Sequence, residues 1–220
     1  LEMLPANSGF YSGQPALFVY SDVAASFLAV TLVQPSRRND AAGWPLAPLN
    51  FAGLVARAAS CESASTCGRW TKFEVGTTED TNPGLVFASS TDGNAATPPN
   101  PLDFAPLLDA NRQPPLCPPP ILVGLCGLRN EGMIAMRGLY AVPSDPTIAG
   151  VTPVTPAHSW SLPANASVEV GMVAASGVGS PASVNDIEAR FGMFQLYTGL
   201  EGEGSCQALF NDVLSQLQAQ

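Results

Sequence analysis

The sequence predicts a mainly β protein, an antiparallel β-barrel or sandwich with long loops and a short C-terminal helix. Apolar runs of strand length recur along the 220 residues. They are separated by turn signals, to which 20 Gly and 21 Pro contribute. Helical periodicity is clear only at the C-terminus. We expect one domain over residues 1–220, with Leu1 and Glu2 interpreted as a cloning scar.

Nine apolar runs bounded by turn residues predict strands. They are Ala16–Tyr20, Phe27–Val33, Asn50–Val55, Trp70–Val75, Leu85–Ala88, Ile121–Leu128, Met133–Val142, Ser167–Ala174 and Arg190–Thr198. Polar or Pro-rich segments between them predict loops, among them Gln34–Ala41 and Ser144–Pro156. The Pro-rich stretch Thr97–Pro120 is either a long ordered loop or a linker, because proline disfavours helices and central strands.

The run Thr71–Val75 alternates with the period of a strand. Phe73 and Val75 fall on one face, and Lys72 and Glu74 fall on the other, which Trp70 would share. This pattern is typical of an antiparallel sheet with one buried face and one face in water.

The C-terminal segment Cys206–Gln218 predicts the helix, with Gly204-Ser205 as its cap. Its apolar side chains share one face at spacings of one, three or four: Leu209, Phe210, Val213, Leu214 and Leu217. We expect this face to pack on the protein's own sheet, and docking on another subunit is the alternative.

The charge balance argues against two classes of partner. The formal net charge is −9, and Lys72 is the only lysine among nine basic residues. Nucleic-acid binding depends on basic side chains that replace counterions, so we expect no nucleic-acid partner. No run of about 18 apolar residues occurs, which predicts no membrane insertion.

The five cysteines are an odd number, so at least one has no partner within the chain. Cys61 and Cys67 flank a polar loop, and a disulfide between them would clip a hairpin end. For Cys117, Cys126 and Cys206 we expect buried free thiols.

No local motif in the chain carries a chemistry. His158 is the only histidine, no G-x-S-x-G elbow accompanies it, and a structural role is expected for it. We find no nucleotide-binding glycine pattern and no metal-ligand spacing, so no cofactor and no metal are expected. The sequence therefore predicts that the chain is not an enzyme.

Surface recognition is the remaining class of function. Aromatic residues in or near polar loops are candidates for binding, namely Tyr11, Trp44, Trp160 and Tyr197. The alternative for each tryptophan is that it plugs the edge of the core.

In its size, its scarcity of lysine, its long polar loops and strands such as Ala16-Leu17-Phe18-Val19-Tyr20, the chain resembles the protruding domains of non-enveloped virus capsids, in particular avian astrovirus capsid spikes. The resemblance implies a barrel-like spike core, a homodimer, a position on the virion surface and attachment to a host receptor, for which a glycan is a candidate. A dimer also suits a chain rich in apolar and poor in charged residues.

Two other functions stay open. One is an extracellular bacterial or phage module that binds carbohydrate or acts as an adhesin. The other is a hydrolase that uses carboxylates, for which Asp103 and Asp109 are the candidates.

Overall fold

The computed structural model describes residues 1–3, 17–48, 50–59, 69–77, 82–90, 102–107, 113, 115–151, 158–175 and 186–219. These residues form two antiparallel sheets that pack face to face, followed by one helix. No pairing between described strands joins the two sheets. The predicted fold class is therefore confirmed, and of its two alternatives the chain adopts the sandwich.

The seven-stranded sheet has the order β1-β13-β3-β8-β9-β10, with β11 added beside β9. Its strands are β1 (Glu2–Met3), β3 (Phe27–Arg37), β8 (Ile121–Asn130), β9 (Met133–Val142), β10 (Asp145–Val151), β11 (Ser159–Ser161) and β13 (Ile187–Thr198).

The six-stranded sheet has the order β2-β12-β4-β5-β6-β7. Its strands are β2 (Leu17–Val23), β4 (Asn50–Ala58), β5 (Trp70–Thr77), β6 (Pro83–Ser90), β7 (Leu102–Pro106) and β12 (Val168–Ala175).

All nine predicted strands are present, and three loop predictions need correction. β3 continues to Arg37, so its last four residues take half of the predicted loop Gln34–Ala41. β10 occupies much of the segment Ser144–Pro156, and β7 lies inside the Pro-rich stretch Thr97–Pro120. Both are edge strands of their sheets. An edge strand tolerates a proline such as Pro146 or Pro106, because the missing N–H does not interrupt the hydrogen bonds of a central strand. The Pro-rich stretch thus contains an edge strand.

The main core lies between the sheets. Phe27 and Leu125 from the seven-stranded sheet meet Leu54, Phe73 and Phe87 from the six-stranded sheet in one buried cluster. The rings of Phe73 and Phe87 pack edge to face, with centroids 5.7 Å apart. Period-two alternation thus sends Phe73 inward and leaves its neighbours on β5 facing the other way.

The helix α1 (Glu203–Gln218) covers the other face of the seven-stranded sheet. Phe210 and Val213 are buried there against β3, β8 and β9, which confirms the expected packing on the chain's own sheet. Gly124 permits this approach, because a Cβ at its position would lie 2.8 Å from Cδ2 of Phe210. The helix begins at Glu203, earlier than predicted, and Gly202 caps it without a side-chain hydrogen bond.

A disulfide joins Cys126 of β8 to Cys206 of α1. The expectation of free thiols was wrong for these two residues, since sequence spacing carries no sign of a pair 80 residues apart. Cys117 is a free thiol, and it is exposed rather than buried. Cys61 and Cys67 lie outside the described residues, so their disulfide stays a prediction.

Within the described part of the chain, no helix is both long enough and apolar enough to span a membrane.

Candidate functional site

The face of the six-stranded sheet that points away from the main core, here called the outer face, carries an ordered set of polar and aromatic residues. Antiparallel register places five of them in one lateral row across β2, β12, β4, β5 and β6. They are Asp22, Glu169, Arg57, Trp70 and Ser90. Four strand spacings of about 4.8 Å make this row roughly 19 Å long.

The exposed end of the outer face is a cluster on β2, β12 and β4, here called the edge platform. It consists of Phe18, Tyr20, Asp22, Arg57 and Glu169. The rings of Phe18 and Tyr20 stack with centroids 5.0 Å apart and planes inclined by 18°. The guanidinium carbon of Arg57 lies 4.8 Å from the centroid of Phe18 and 5.8 Å from that of Tyr20, within range of cation–π attraction.

Two features fix the Arg57 side chain in this position. Its Nε–H donates to Oε2 of Glu169, which belongs to the neighbouring strand β12. Gly171 stands in register between Tyr20 and Val55. It has no side chain, so none occupies the space through which Arg57 extends toward the rings. A Cβ at Gly171 would lie 1.9 Å from the carbonyl oxygen of Val19, so the close approach of β2 excludes a larger residue there.

The middle of the outer face holds a buried ion pair. Lys72 Nζ lies 2.5 Å from Glu74 Oε2, and the two side chains are 2% and 0% exposed. The prediction of a face in water was therefore wrong at β5, although the alternation itself was right. Among the described residues, neither oxygen of Glu74 has a hydrogen-bond partner, so the contact with Lys72 is one of charge without hydrogen-bond geometry.

The lone histidine is part of a buried polar chain on the core side of the same sheet. Trp160 Nε1–H donates to Thr71 Oγ1 at 3.0 Å, and Thr71 Oγ1 lies 2.8 Å from Ser89 Oγ. Ser89 Oγ lies 3.0 Å from His158 Nδ1, and the imidazole packs 4.1 Å from the ring of Phe87. All of these groups are buried, so the arrangement satisfies polar atoms inside the core.

The three predicted binding residues in the described part of the chain do not form an exposed patch. Trp160 is 1% exposed, and Trp44 is 8% exposed with its Nε1–H donating to the carbonyl of Pro115. Both indoles belong to the core cluster, which is the alternative already weighed for them. Tyr197 is half-buried beside α1, and its hydroxyl donates to Gln195 Oε1. Tyr11 lies outside the described residues.

Of the two carboxylates proposed for a hydrolase, one lies in the described part of the chain. The backbone of Asp103 lies in β7 opposite Phe87, and Asp109 lies outside the described residues. Within that part, no three His, Cys, Asp or Glu side chains form a group suited to a metal.

Sequence reasoning missed the edge platform because its members come from three separate strands. Phe18 and Tyr20 had a visible signal, since they alternate within a predicted strand. Arg57 and Glu169 had none, since only the register of β4 with β12 makes them neighbours.

No family model and no curated protein sequence matches the chain. Solved structures do share its fold. The PL-14 alginate lyase from Aplysia kurodai is 9% identical with a TM-score of 0.50, over 90% of this chain and 89% of that one. The alginate lyase Aly36B in complex with alginate trisaccharide is 9% identical with a TM-score of 0.52, over 91% and 81%. The xyloglucan-locus protein GH43B from Bacteroides ovatus is 10% identical with a TM-score of 0.45, and the chain spans only 27% of its length.

This comparison overturns the prediction that the chain is not an enzyme. Two of the structures that share its fold are alginate lyases, so the fold is one that carries catalysis as well as binding. The prediction failed because it rested on short local motifs, whereas a sheet face assembles its residues from distant strands. The comparisons do not test the resemblance to capsid spikes or the homodimer, and both stay predictions.

Proposed function

We propose that the chain is a carbohydrate-active protein that binds a glycan on the outer face of its six-stranded sheet, at the edge platform. The observation that carries the proposal is the arrangement of Arg57 beside the rings of Phe18 and Tyr20. At the exposed end of the outer face, this combines apolar ring surface with terminal N–H groups of Arg57 that no described residue engages.

The chemistry of sugars suits this arrangement. A pyranose ring has C–H faces that pack on aromatic rings and an equator of hydroxyl groups that needs hydrogen-bond partners. Tyr20 is 47% exposed, and the Arg57 side chain is 41% exposed, so both are accessible to a ligand. The side chains are already held in place, which lowers the entropy lost on binding. The fold shared with alginate lyases supports the same class of ligand.

The test is binding to a panel of soluble polysaccharides and oligosaccharides by affinity electrophoresis and calorimetry. Tyr20→Ala removes one ring of the platform and is expected to weaken binding at least about tenfold. Val19→Ala is the matched control, because Val19 is similarly exposed on the same strand but points to the opposite face. Equal binding by wild type and Tyr20→Ala would contradict the proposal, as would the absence of binding to every glycan tested.

A second candidate function, cleavage of the bound glycan, is favoured by the Lys72–Glu74 pair. Glu74 is a buried carboxylate that accepts no hydrogen bond from the described residues. Such a group is costly to the fold, and groups of this kind concentrate where proteins do chemistry. Glu74 would act as the acid or base, and Lys72 would stabilise its charge. Both groups are buried, so a substrate reaches them only if this part of the face opens.

Cleavage is tested by incubating the same panel with the protein and measuring new reducing ends and the ultraviolet absorbance of unsaturated sugars. Glu74→Gln should abolish the product while leaving binding at the edge platform intact. Product formed equally by Glu74→Gln would exclude this role for Glu74.

An extracellular location is part of the proposal. The Cys126–Cys206 disulfide supports it, because structural disulfides persist mainly in oxidising compartments. On a virion surface the edge platform would attach the particle to a host glycan. On a bacterium or phage it would be the binding site of an adhesin or carbohydrate-binding module.

A further inference from the structure

The edge platform carries more negative than positive charge. Arg57 is its only basic side chain, and Glu169 accepts the hydrogen bond from its Nε. Asp22 is exposed and stands in register beside Glu169 on the adjacent strand. One cation therefore faces two carboxylates, in a chain whose formal net charge is already −9.

The other cation on the outer face adds nothing for an anionic ligand. Among the described outer-face positions, the only further basic residue is Lys72, which is buried beside Glu74. Both basic side chains on this face are therefore matched by a carboxylate within the protein. A polysaccharide with a carboxylate on every residue would meet repulsion from Asp22 and Glu169 with no uncompensated positive charge to offset it.

The hydrogen-bonding groups of the platform suit an uncharged sugar. A guanidinium has five N–H donors in a rigid fork, and in the described contacts Arg57 commits one, at Nε, leaving the terminal amino groups to neighbouring sugar hydroxyls. The carboxylates of Asp22 and Glu169 can accept hydrogen bonds from sugar hydroxyl groups. An ionised carboxylate on a ligand has no proton to donate to them.

We infer that the edge platform selects neutral glycans and rejects polyuronates such as alginate. The inference rests on the proposed glycan-binding function and names the class of ligand that this function requires. It also separates the chain from the alginate lyases that share its fold.

The experiment compares two neutral probes, xyloglucan and galactomannan, with two acidic probes, alginate and polygalacturonate. Dissociation constants are measured with the whole chain at low salt and after a roughly tenfold increase in salt. At least one neutral probe should bind about tenfold or more tighter than either acidic probe. Its affinity should change less than about twofold with salt, because an uncharged ligand has no charge to screen.

Three variants check the mechanism. Arg57→Lys keeps the charge and loses the fork, so binding of the neutral probe should fall about tenfold. Asp22→Asn should raise affinity for the acidic probes about threefold, the factor for unit charges about 6 Å apart in water. Glu203→Gln is the control, since it removes one carboxylate from α1, on the side of the sandwich away from the platform.

The outcomes separate this inference from the proposal beneath it. Salt-sensitive binding of alginate or polygalacturonate that depends on Tyr20, without comparable neutral binding, would overturn the inference and leave glycan binding standing. Binding of none of the four probes would contradict both. Neutral binding that is unaffected by both Tyr20→Ala and Arg57→Lys would place the glycan elsewhere and would also overturn the inference.

Discussion

Replacing Lys72 by Met tests how much the ion pair on β5 contributes to the stability of the fold. Met is similarly long and unbranched, so the change removes the charge with little change of volume. It leaves the Glu74 carboxylate without its charged partner, at a site 0% exposed where neither oxygen accepts a hydrogen bond from the described residues. Removing one partner of such a pair costs about 3–5 kcal/mol. For a chain of this length that corresponds to a fall in Tm of roughly 6–20 °C.

The informative measurement is the double-mutant cycle by urea unfolding, with Lys72→Met, Glu74→Leu and both changes together. The neighbours across the strands include Val55, Val86 and Ala88, so an apolar pair fits its surroundings. The double variant should be as stable as wild type or more stable, by up to about 4 kcal/mol. Arg57→Met on the same face is the control, because that pair is partly exposed and should cost only about 0–1 kcal/mol. A double variant as unstable as the sum of the single variants would refute the argument, because the two charges would then not be coupled.

Three further predictions follow from other parts of the molecule. Cys206→Ser removes the Cys126–Cys206 disulfide. The separation of 80 residues predicts that the free energy of unfolding, measured with urea, falls by about 4.5 kcal/mol. No fall would show that the bond does not constrain the unfolded chain. Burial raises the pKa of Tyr140 above its usual value. Its contribution to stability is therefore complete below about pH 10 and is lost as the pH rises through the raised pKa. Tyr140→Phe should reduce this alkaline fall in Tm, and an unchanged fall would show that other groups cause it. The predicted homodimer should give a mass near twice 22.8 kDa by light scattering, unchanged by reductant, whereas a monomer would contradict it.

The strands were predictable because their signal is local. Met133–Val142 has the bounds that its apolar run predicted, and Phe73 and Val75 face the core as their alternation required. Alternation specifies which residues share a face, but it does not specify what covers that face. At β5 both faces are buried, so a pattern that normally indicates water on one side instead marked a buried pair of charges.

The Cys126–Cys206 disulfide and the edge platform could not be predicted from the sequence, for a different reason. Each depends on contacts between residues far apart in the chain, such as Arg57 with Glu169, and single-sequence patterns do not contain the strand order that creates them. The aromatic residues chosen as binding candidates illustrate the same limit. Trp44 and Trp160 follow or precede loop residues in sequence, yet their Nε1–H groups find partners inside the protein, and the indoles become part of the core.

The two charged features of the outer face differ in a way that bears on function. At the edge platform the partly exposed guanidinium of Arg57 keeps donors available, so its pair with Glu169 costs little to the fold and leaves a surface that a ligand can use. At β5 the same types of charge are fully desolvated, so the pair costs more and offers no surface to a ligand. The proposed binding site is for this reason the exposed end of the row. Cleavage at the Lys72–Glu74 pair would require this pair to become accessible to the bound glycan. If Glu74→Gln loses glycan cleavage and keeps glycan binding, then binding at the edge platform and cleavage at Glu74 are two functions of the same face.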